Sequence, residues 1–443
     1  MARTPRSLWA ALAIVLATAA PAVANGRPPA TSGVYVQPEA PQSLYVRTTF
    51  GLLISHDDGC SFRWVCEQNI GYGGTFDPHY EIADDGTIFA TTFTGLRVSR
   101  DGGCSFVTAT AELPASAPGR IADMWIDAID IGPTGEVWVA TADSGRPNDI
   151  YRSTDNGVTF ESRGMLSSTV WWKSLLVAPS DPLHVYASGY EVAGATPTAY
   201  VYATVDGGTT WTPGSLAGVE LAATPVVRFV AVDPDAPDHA YLLSVGANGA
   251  AGDRLYRTTD GGETFAQVLV TTEPVTNVVI TGPTTVLVAA GREGAFRSQD
   301  GGATFAAIPA APQLGCLAER SDGSLVGCGT NWDPDFMAVG VSDDAAQWQK
   351  VFRFIELTGP VECPAGTMGR DVCDEQMWPT LQAQFGATGG TCNSPPVDGP
   401  EPMPPPPPGG CCDAGGSSVV GIGLLASLVA LVLRRRAPRR VTA

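Results

Sequence analysis

Basic residues are scarce in this chain: 26 Lys and Arg stand against 45 Asp and Glu, a formal net charge of −19 over 443 residues. Arg3, Arg6, Arg434, Arg435, Arg436, Arg439 and Arg440 fall in the two end segments, so the body between them is more acidic still. A surface of that sign repels phosphate backbones and anionic headgroups, which excludes nucleic acid as a partner. Histidine is scarcer, with four in the whole chain, and no strained nucleophile turn accompanies them, so no Ser/His/Asp arrangement is supported. The ten cysteines show no zinc-binding spacing, and no metal or other cofactor is expected. Helical periodicity is missing from the body, which leaves short strands punctuated by turns.

What the chain has in abundance is one octapeptide. Ser298-Gln299-Asp300-Gly301-Gly302-Ala303-Thr304-Phe305 follows the pattern Ser or Thr, x, Asp, x, Gly, x, Ser or Thr, aromatic, and the same pattern recurs at 55–62, 99–106, 153–160, 204–211 and 258–265. A seventh, worn copy at 342–348 is one residue short and has Ala346 where the glycine belongs. The central residues Asp57, Asp101, Asp155, Asp206, Asp260, Asp300 and Asp344 are 40 to 54 residues apart, a period that signals a repeat architecture. Each element of the pattern has a local task. The carboxylate accepts bonds from backbone N–H groups, the glycine takes a positive φ, the hydroxyl adds a second local bond, and the aromatic anchors the turn to the core. Seven copies point to a role in folding rather than to seven active sites.

The pattern resembles the Asp-box, or BNR repeat, of sialidases, sortilin-like receptors, xyloglucanase-type hydrolases and photosystem assembly factors. That resemblance implies a β-propeller with each box on a blade rim, away from the central channel. Between the boxes the chain repeats a single plan of four apolar runs, with turns such as Pro179-Ser180-Asp181-Pro182 and Asp233-Pro234-Asp235-Ala236-Pro237 after the first. The expected fold is therefore all-β, a seven-bladed propeller of four-stranded antiparallel blades over residues 25–358.

The ends are of a different kind. Residues 1–24 read as a secretory signal, with Arg3 and Arg6 before an apolar run at 8–20 and Ala22-Val23-Ala24 as the cleavage site. Residues 359–392 form a cysteine-containing extension, with a short helix expected over 374–385 because Met377, Leu381 and Phe385 recur every fourth residue. Residues 393–410 are a stiff proline-rich linker. The tail, 411–443, places Cys411-Cys412 before an apolar run at 417–433 and an arginine cluster. Read plainly, it is an inner-membrane anchor holding the protein toward the periplasm, with positive charge inside. The order of cysteine, apolar run and arginines also resembles the MYXO-CTERM sorting signal of myxobacterial surface proteins. By that resemblance Cys411 or Cys412 would be processed by a membrane sorting enzyme and the protein displayed, anchored, on the outer membrane.

Cysteine usage fits an oxidising compartment. Cys316 and Cys328 flank Ser321-Asp322-Gly323 symmetrically, which places them opposite each other on antiparallel strands and predicts a disulfide. The pairing of Cys60, Cys66, Cys104, Cys363, Cys373 and Cys392 stays open.

Propellers bind or catalyse at the mouth of the central channel. Aligning the blades on their first turns puts Asp127, Lys173, Arg228 and Asn277 at one equivalent position of successive inner strands, an arc of candidate ligand-binding residues. His79, Trp125, Trp171 and Trp172 lie nearby, and because adjacent strand residues face opposite sides, one of the two neighbouring tryptophans is expected in the core. The sialidase resemblance further implies an Arg-Ile-Pro segment and three arginines gripping a carboxylate. No Arg-Ile-Pro occurs, and Tyr80-Glu81 and Tyr190-Glu191 stand without that triad. A xyloglucanase-type site needs two carboxylates across a cleft, and Asp127 has no nameable partner. No catalytic residue is assigned. The expected function is a surface-displayed, non-catalytic binding or scaffolding module for a glycan or cell-surface protein. An Asp-box glycoside hydrolase acting on extracellular polysaccharide is the alternative. An assembly factor of the photosystem kind fits less well, since the acidic balance opposes its arginine-rich patch.

Overall fold

Each apolar run in the body ends at a turn residue that stops it, and the product is seven antiparallel meanders in sequence order. The computed structural model describes residues 27–390 apart from 75, 165, 194–195 and 249–251. The signal segment 1–24, Cys392, the linker 393–410 and the tail with Cys411 and Cys412 lie outside the described residues. Blades one to seven occupy 31–65, 80–108, 126–162, 171–213, 227–270, 277–307 and 316–352. Six are four-stranded; blade one gains a fifth strand, Gly359–Pro360, parallel to its outer strand Arg63–Val65. The core is correspondingly divided into seven apolar layers, one per blade interface. No blade can bury its own faces, so each is stable only between two neighbours.

The octapeptide joins the third and fourth strands of each blade. In blade five, Thr258 Oγ1 donates to Asp260 Oδ1 at 2.7 Å and accepts the Gly262 N–H at 2.9 Å. The same carboxylate takes the Thr264 N–H at 2.9 Å and the Thr264 hydroxyl at 2.5 Å. Blades one, three, four and six repeat all four bonds. In blade seven Asp344 collects the Ala346 and Gln347 N–H groups instead, and Ala345 takes the left-handed φ of 57°. The fifth residue of each full copy is a glycine with φ between 77° and 93°. At Gly302 a Cβ would lie 1.7 Å from the Tyr241 hydroxyl oxygen, so space as well as torsion demands glycine there. Hydrogen bonding pulls Asp206 down to about 2 and holds Asp57, Asp155, Asp260 and Asp300 below the usual carboxylate range despite some burial. The closing aromatics divide: Phe62, Phe106 and Phe160 are buried, whereas Trp211, Phe265, Phe305 and Trp348 are half-buried against the same layers.

Polar struts cross the blade interfaces. The Val177 N–H donates to Asp130 at 2.6 Å, Phe229 N–H to Ser174 Oγ at 2.8 Å, and Val275 N–H to Asp253 at 2.8 Å. Leu317 N–H donates to Asn277 Oδ1 at 3.2 Å. At the last interface the Thr31 hydroxyl reaches the Ala338 carbonyl at 3.2 Å, and Arg320 pairs with Asp58 at 2.6 Å.

The extension forms a clasp over the first two blades. Cys66 is bonded to Cys373 and Cys104 to Cys363, links of 307 and 259 residues. Cys316 and Cys328 face each other in register and are bonded, as their spacing predicts, and Cys60 is also disulfide-bonded. Where a helix over 374–385 is expected, the chain runs as a π-helix, Gly369–Met377, into an α-helix, Trp378–Phe385. Pro379 supplies the reason: it offers no N–H and its ring crowds the carbonyl four residues back, while the preceding Trp378 N–H bonds five back to Cys373. Two single turns, Glu67–Ile70 and Phe354–Glu356, also break the expectation of a helix-free body. They are too short to leave a period in sequence. Among the described residues no helix is long and apolar enough to cross a membrane, and no group of three or more His, Cys, Asp or Glu is placed to hold a metal ion.

Two outcomes follow for equilibrium unfolding in urea. Thr258→Val strands the buried Gly262 N–H and lowers stability by about 1–3 kcal/mol. Replacing Cys66 and Cys373 together by Ser costs roughly 2–5 kcal/mol, whereas unchanged unfolding midpoints would contradict both assignments.

Candidate functional site

The inner strands all run from one face of the ring to the other, so residues at their starts gather at one mouth. The four arc positions do this on the strands Ile126–Ile131, Trp171–Ala178, Val227–Val232 and Asn277–Ile280. They are not equivalent in bonding. Lys173 Nζ forms an ion pair with Asp127 Oδ2, both side chains nearly buried. Asn277 serves as the strut between blades six and seven. Arg228 is half-buried and makes no hydrogen bond or ion pair among the described residues, and its Nε is enclosed without a partner.

A file of aromatic rings crosses the same mouth over blades two to four. Phe76 and Phe93 lie 4.5 Å apart between centroids, Phe93 and Trp125 4.8 Å, Trp125 and Trp171 6.0 Å, and Trp171 and Tyr190 5.8 Å. Lys173 Nζ sits 4.5 Å from the Trp125 centroid and 5.7 Å from that of Tyr190, within cation–π range of both. Strand alternation decides which tryptophan takes part. Trp172 is 0% exposed in the layer between blades three and four, while Trp171 turns to the mouth beside Tyr190, its register partner.

Phe93 owes its position to a turn. Thr92 Oγ1 donates to the Gly95 carbonyl at 2.7 Å, closing a tight loop with Phe93 at the tip. Blade one builds the same turn with Thr48 and Gly51, and its Phe50 is buried under Phe354 and Phe385. Phe93 has no such cover and is 50% exposed. The shared Thr-x-aromatic and Thr-aromatic turns ending in glycine were the available signal in the sequence; which of the two rings the extension covers was not.

The file abuts a cleft of about 650 Å³ on the outer side of Trp171, walled by residues 143–147 and by Glu191 and Val192. That second wall is the ribbon of strands Asp181–Ala193 and Thr196–Thr204, which continues past the end of the inner strand.

Charge is distributed unevenly along the axis. At the mouth, burial together with Arg47, Arg228 and Lys173 pushes His79 well below the usual imidazole range. Burial also lowers Lys173, with Asp127 opposing and Arg228 adding to the effect. Arg47 is fastened to Ser32, its Nε to the hydroxyl at 3.0 Å and its Nη2 to the carbonyl at 2.5 Å. Toward the other end, burial and Asp130 push Glu81 well above the carboxylate range, and burial raises Asp130 to about 7 against the pull of the Val177 and Ile131 N–H groups. A second cavity of about 700 Å³ opens there between the turns of blades one to three.

Asp130 binds its proton more tightly folded than unfolded, so its contribution to stability is fully present below pH 3.8 and is lost as pH rises to about 7. Asp130→Asn keeps an acceptor for Val177 and removes the titration. The expected result is a flatter melting temperature across that window in calorimetry, and parallel wild-type and variant curves would rule the effect out.

No family model matches the chain, and no curated protein matches it. Among solved structures it is similar to the Niastella koreensis GH74 enzyme, at 16% identity and a TM-score of 0.42, covering 72% of this chain and 65% of that one. It is likewise similar to YCF48 from Cyanidioschyzon merolae, at 15% identity and 0.46 over 67% and 92% of the two chains. The Hadza microbial sialidase Hz136 is a third such neighbour, at 16% identity and 0.41 over 63% and 65%. The propeller architecture of this chain rests on its own strand pairing.

Proposed function

We propose that the protein is a non-catalytic binding module whose working surface is the aromatic file at the channel mouth, and that its ligand is a glycan. The observation that carries this reading is the run from Phe93 through Trp125 and Trp171 to Tyr190. Blade one carries a counterpart of Phe93 in Phe50, but the extension covers that ring, whereas the rings on blades two to four stay partly exposed. Partly exposed rings, tilted 57–62° to one another at centroid spacings of 4.8–6.0 Å, offer separate apolar faces and edges to the apolar faces of pyranoses. Asp127 is engaged by Lys173 and Asp253 by the Gly246 and Val275 N–H groups, and Glu191 in the adjoining cleft accepts the Tyr200 hydroxyl at 3.3 Å. That favours binding over hydrolysis.

The finer family reading belongs to this proposal. Six full octapeptides and the bonds within them support membership of the Asp-box class. The order of cysteine, apolar run and arginines supports a MYXO-CTERM-type signal, with Cys411 or Cys412 as the attachment residue and display on the outer cell surface.

A glycan array run beside a reducing-sugar assay on the same glycans tests the function. Binding without sugar release is the expected outcome, with Trp171→Ala lowering affinity at least tenfold at an unchanged melting temperature. Release of reducing sugar by the purified wild-type chain would move the assignment to a glycoside hydrolase.

A further inference from the structure

Within the arc of four, Arg228 is the residue left without a hydrogen-bond partner among the described residues. A guanidinium keeps its charge at any working pH, and enclosing part of one without a partner is unfavourable. Its counterparts on neighbouring inner strands all have bonding partners: Asp127 and Lys173 in each other, Asn277 in the Leu317 N–H. Arg228 has none among the described residues, and its Nε is shut away from solvent. The acidic residue nearest at hand in its own blade, Asp253, spends both carboxylate oxygens on N–H groups, at 2.6 Å to Gly246 and 2.8 Å to Val275.

The neighbouring cations do not relieve the imbalance. Lys173 is neutralised by Asp127, and Arg47 is bonded to an uncharged serine. A chain of net charge −19 has thus kept at this mouth a guanidinium with no hydrogen bond or ion pair among the described residues, Asp253 acting on it only through space. His79 lies close enough that Arg47, Arg228 and Lys173 add to burial, the larger cause, in disfavouring its protonation.

Resting on the aromatic-platform reading above, we infer that Arg228 receives a carboxylate of the bound ligand, and that the ligand is an acidic glycan built from uronate residues. A uronate offers an apolar ring face and a carboxylate on the same residue, matching rings and a free cation at the same mouth. Arg–carboxylate pairing can be bidentate, and expulsion of water from the mouth strengthens it. An acidic peptide also carries carboxylates, but it presents no run of flat rings to the file.

The test uses the purified secreted chain with three probes of matched length: oligoglucuronate, neutral oligoglucose and oligoglutamate. Wild type is expected to bind oligoglucuronate at least about tenfold more tightly than oligoglucose, the weight of one charge-assisted contact. Added salt should weaken that preference. Arg228→Gln should abolish the preference for oligoglucuronate over oligoglucose, and Arg228→Lys should retain part of it. Trp171→Ala should weaken both sugars together. Thermal shift with monomeric glucuronate against glucose supplies a readout that does not need the platform: glucuronate should raise the melting temperature of wild type and not that of Arg228→Gln. An equal response of wild type to the charged and neutral sugars, or a preference that survives Arg228→Gln, overturns the inference. Tighter binding of oligoglutamate than of oligoglucuronate overturns it in favour of an acidic protein partner. Loss of both sugars with the glucuronate shift intact would instead overturn the platform and leave Arg228 as an anion site.

Discussion

Ring closure is the constraint on which everything else in this molecule depends. A propeller becomes stable only when its last blade meets its first, and here the four meander strands of each of those blades come from its own end of the chain. No strand is shared across the seam. Closure rests on the Thr31 hydroxyl, the Arg320–Asp58 pair, and an apolar layer in which Phe62 meets Phe352. The extension then reinforces the seam from outside, adding a strand to blade one and lodging Phe385 against Phe50 and Phe354. That the largest aromatic cluster lies at this interface follows from its being the junction with no short covalent connection of its own.

The relation of repeat to exception organises the rest. Hairpin carboxylates and polar struts recur because every blade needs a turn held and a neighbour fixed. Phe93 departs from its counterpart Phe50 in lacking a cover, and Arg228 departs from Asp127, Lys173 and Asn277 in lacking a hydrogen-bond partner among the described residues. The structure therefore separates two populations of charged and polar groups: those saturated by the backbone, as Asp260 and Asn277 are, and the few that face the mouth with capacity to spare.

Much of this was legible in the sequence, and the remainder was not for definable reasons. The octapeptide fixed seven hairpins because all its bonding is local, within eight residues. The Cys316–Cys328 bond was readable for the same reason, as was the opposition of Trp171 and Trp172, since a strand alternates. Cys66–Cys373 was not readable, because a link of 307 residues depends on where the ring brings its ends. The arc of four polar residues could be aligned by repeat, yet alignment cannot say that a backbone N–H of the next blade claims the Asn277 oxygen while no acceptor among the described residues takes an Arg228 N–H. The exposure of Phe93 was hidden likewise, for it differs from Phe50 only in what a distant segment covers.

The disulfide clasp carries a mechanical consequence. Thr388 and Gly390, near the end of the described chain, are bonded to the Ile355 and Glu356 carbonyls, and behind them two covalent bridges run to blades one and two. A pull on the C-terminus is thus delivered sideways into the start of the ring instead of unzipping blade seven strand by strand. Within the described residues, that path enters blades one and two through covalent bonds rather than through the outer strand of blade seven.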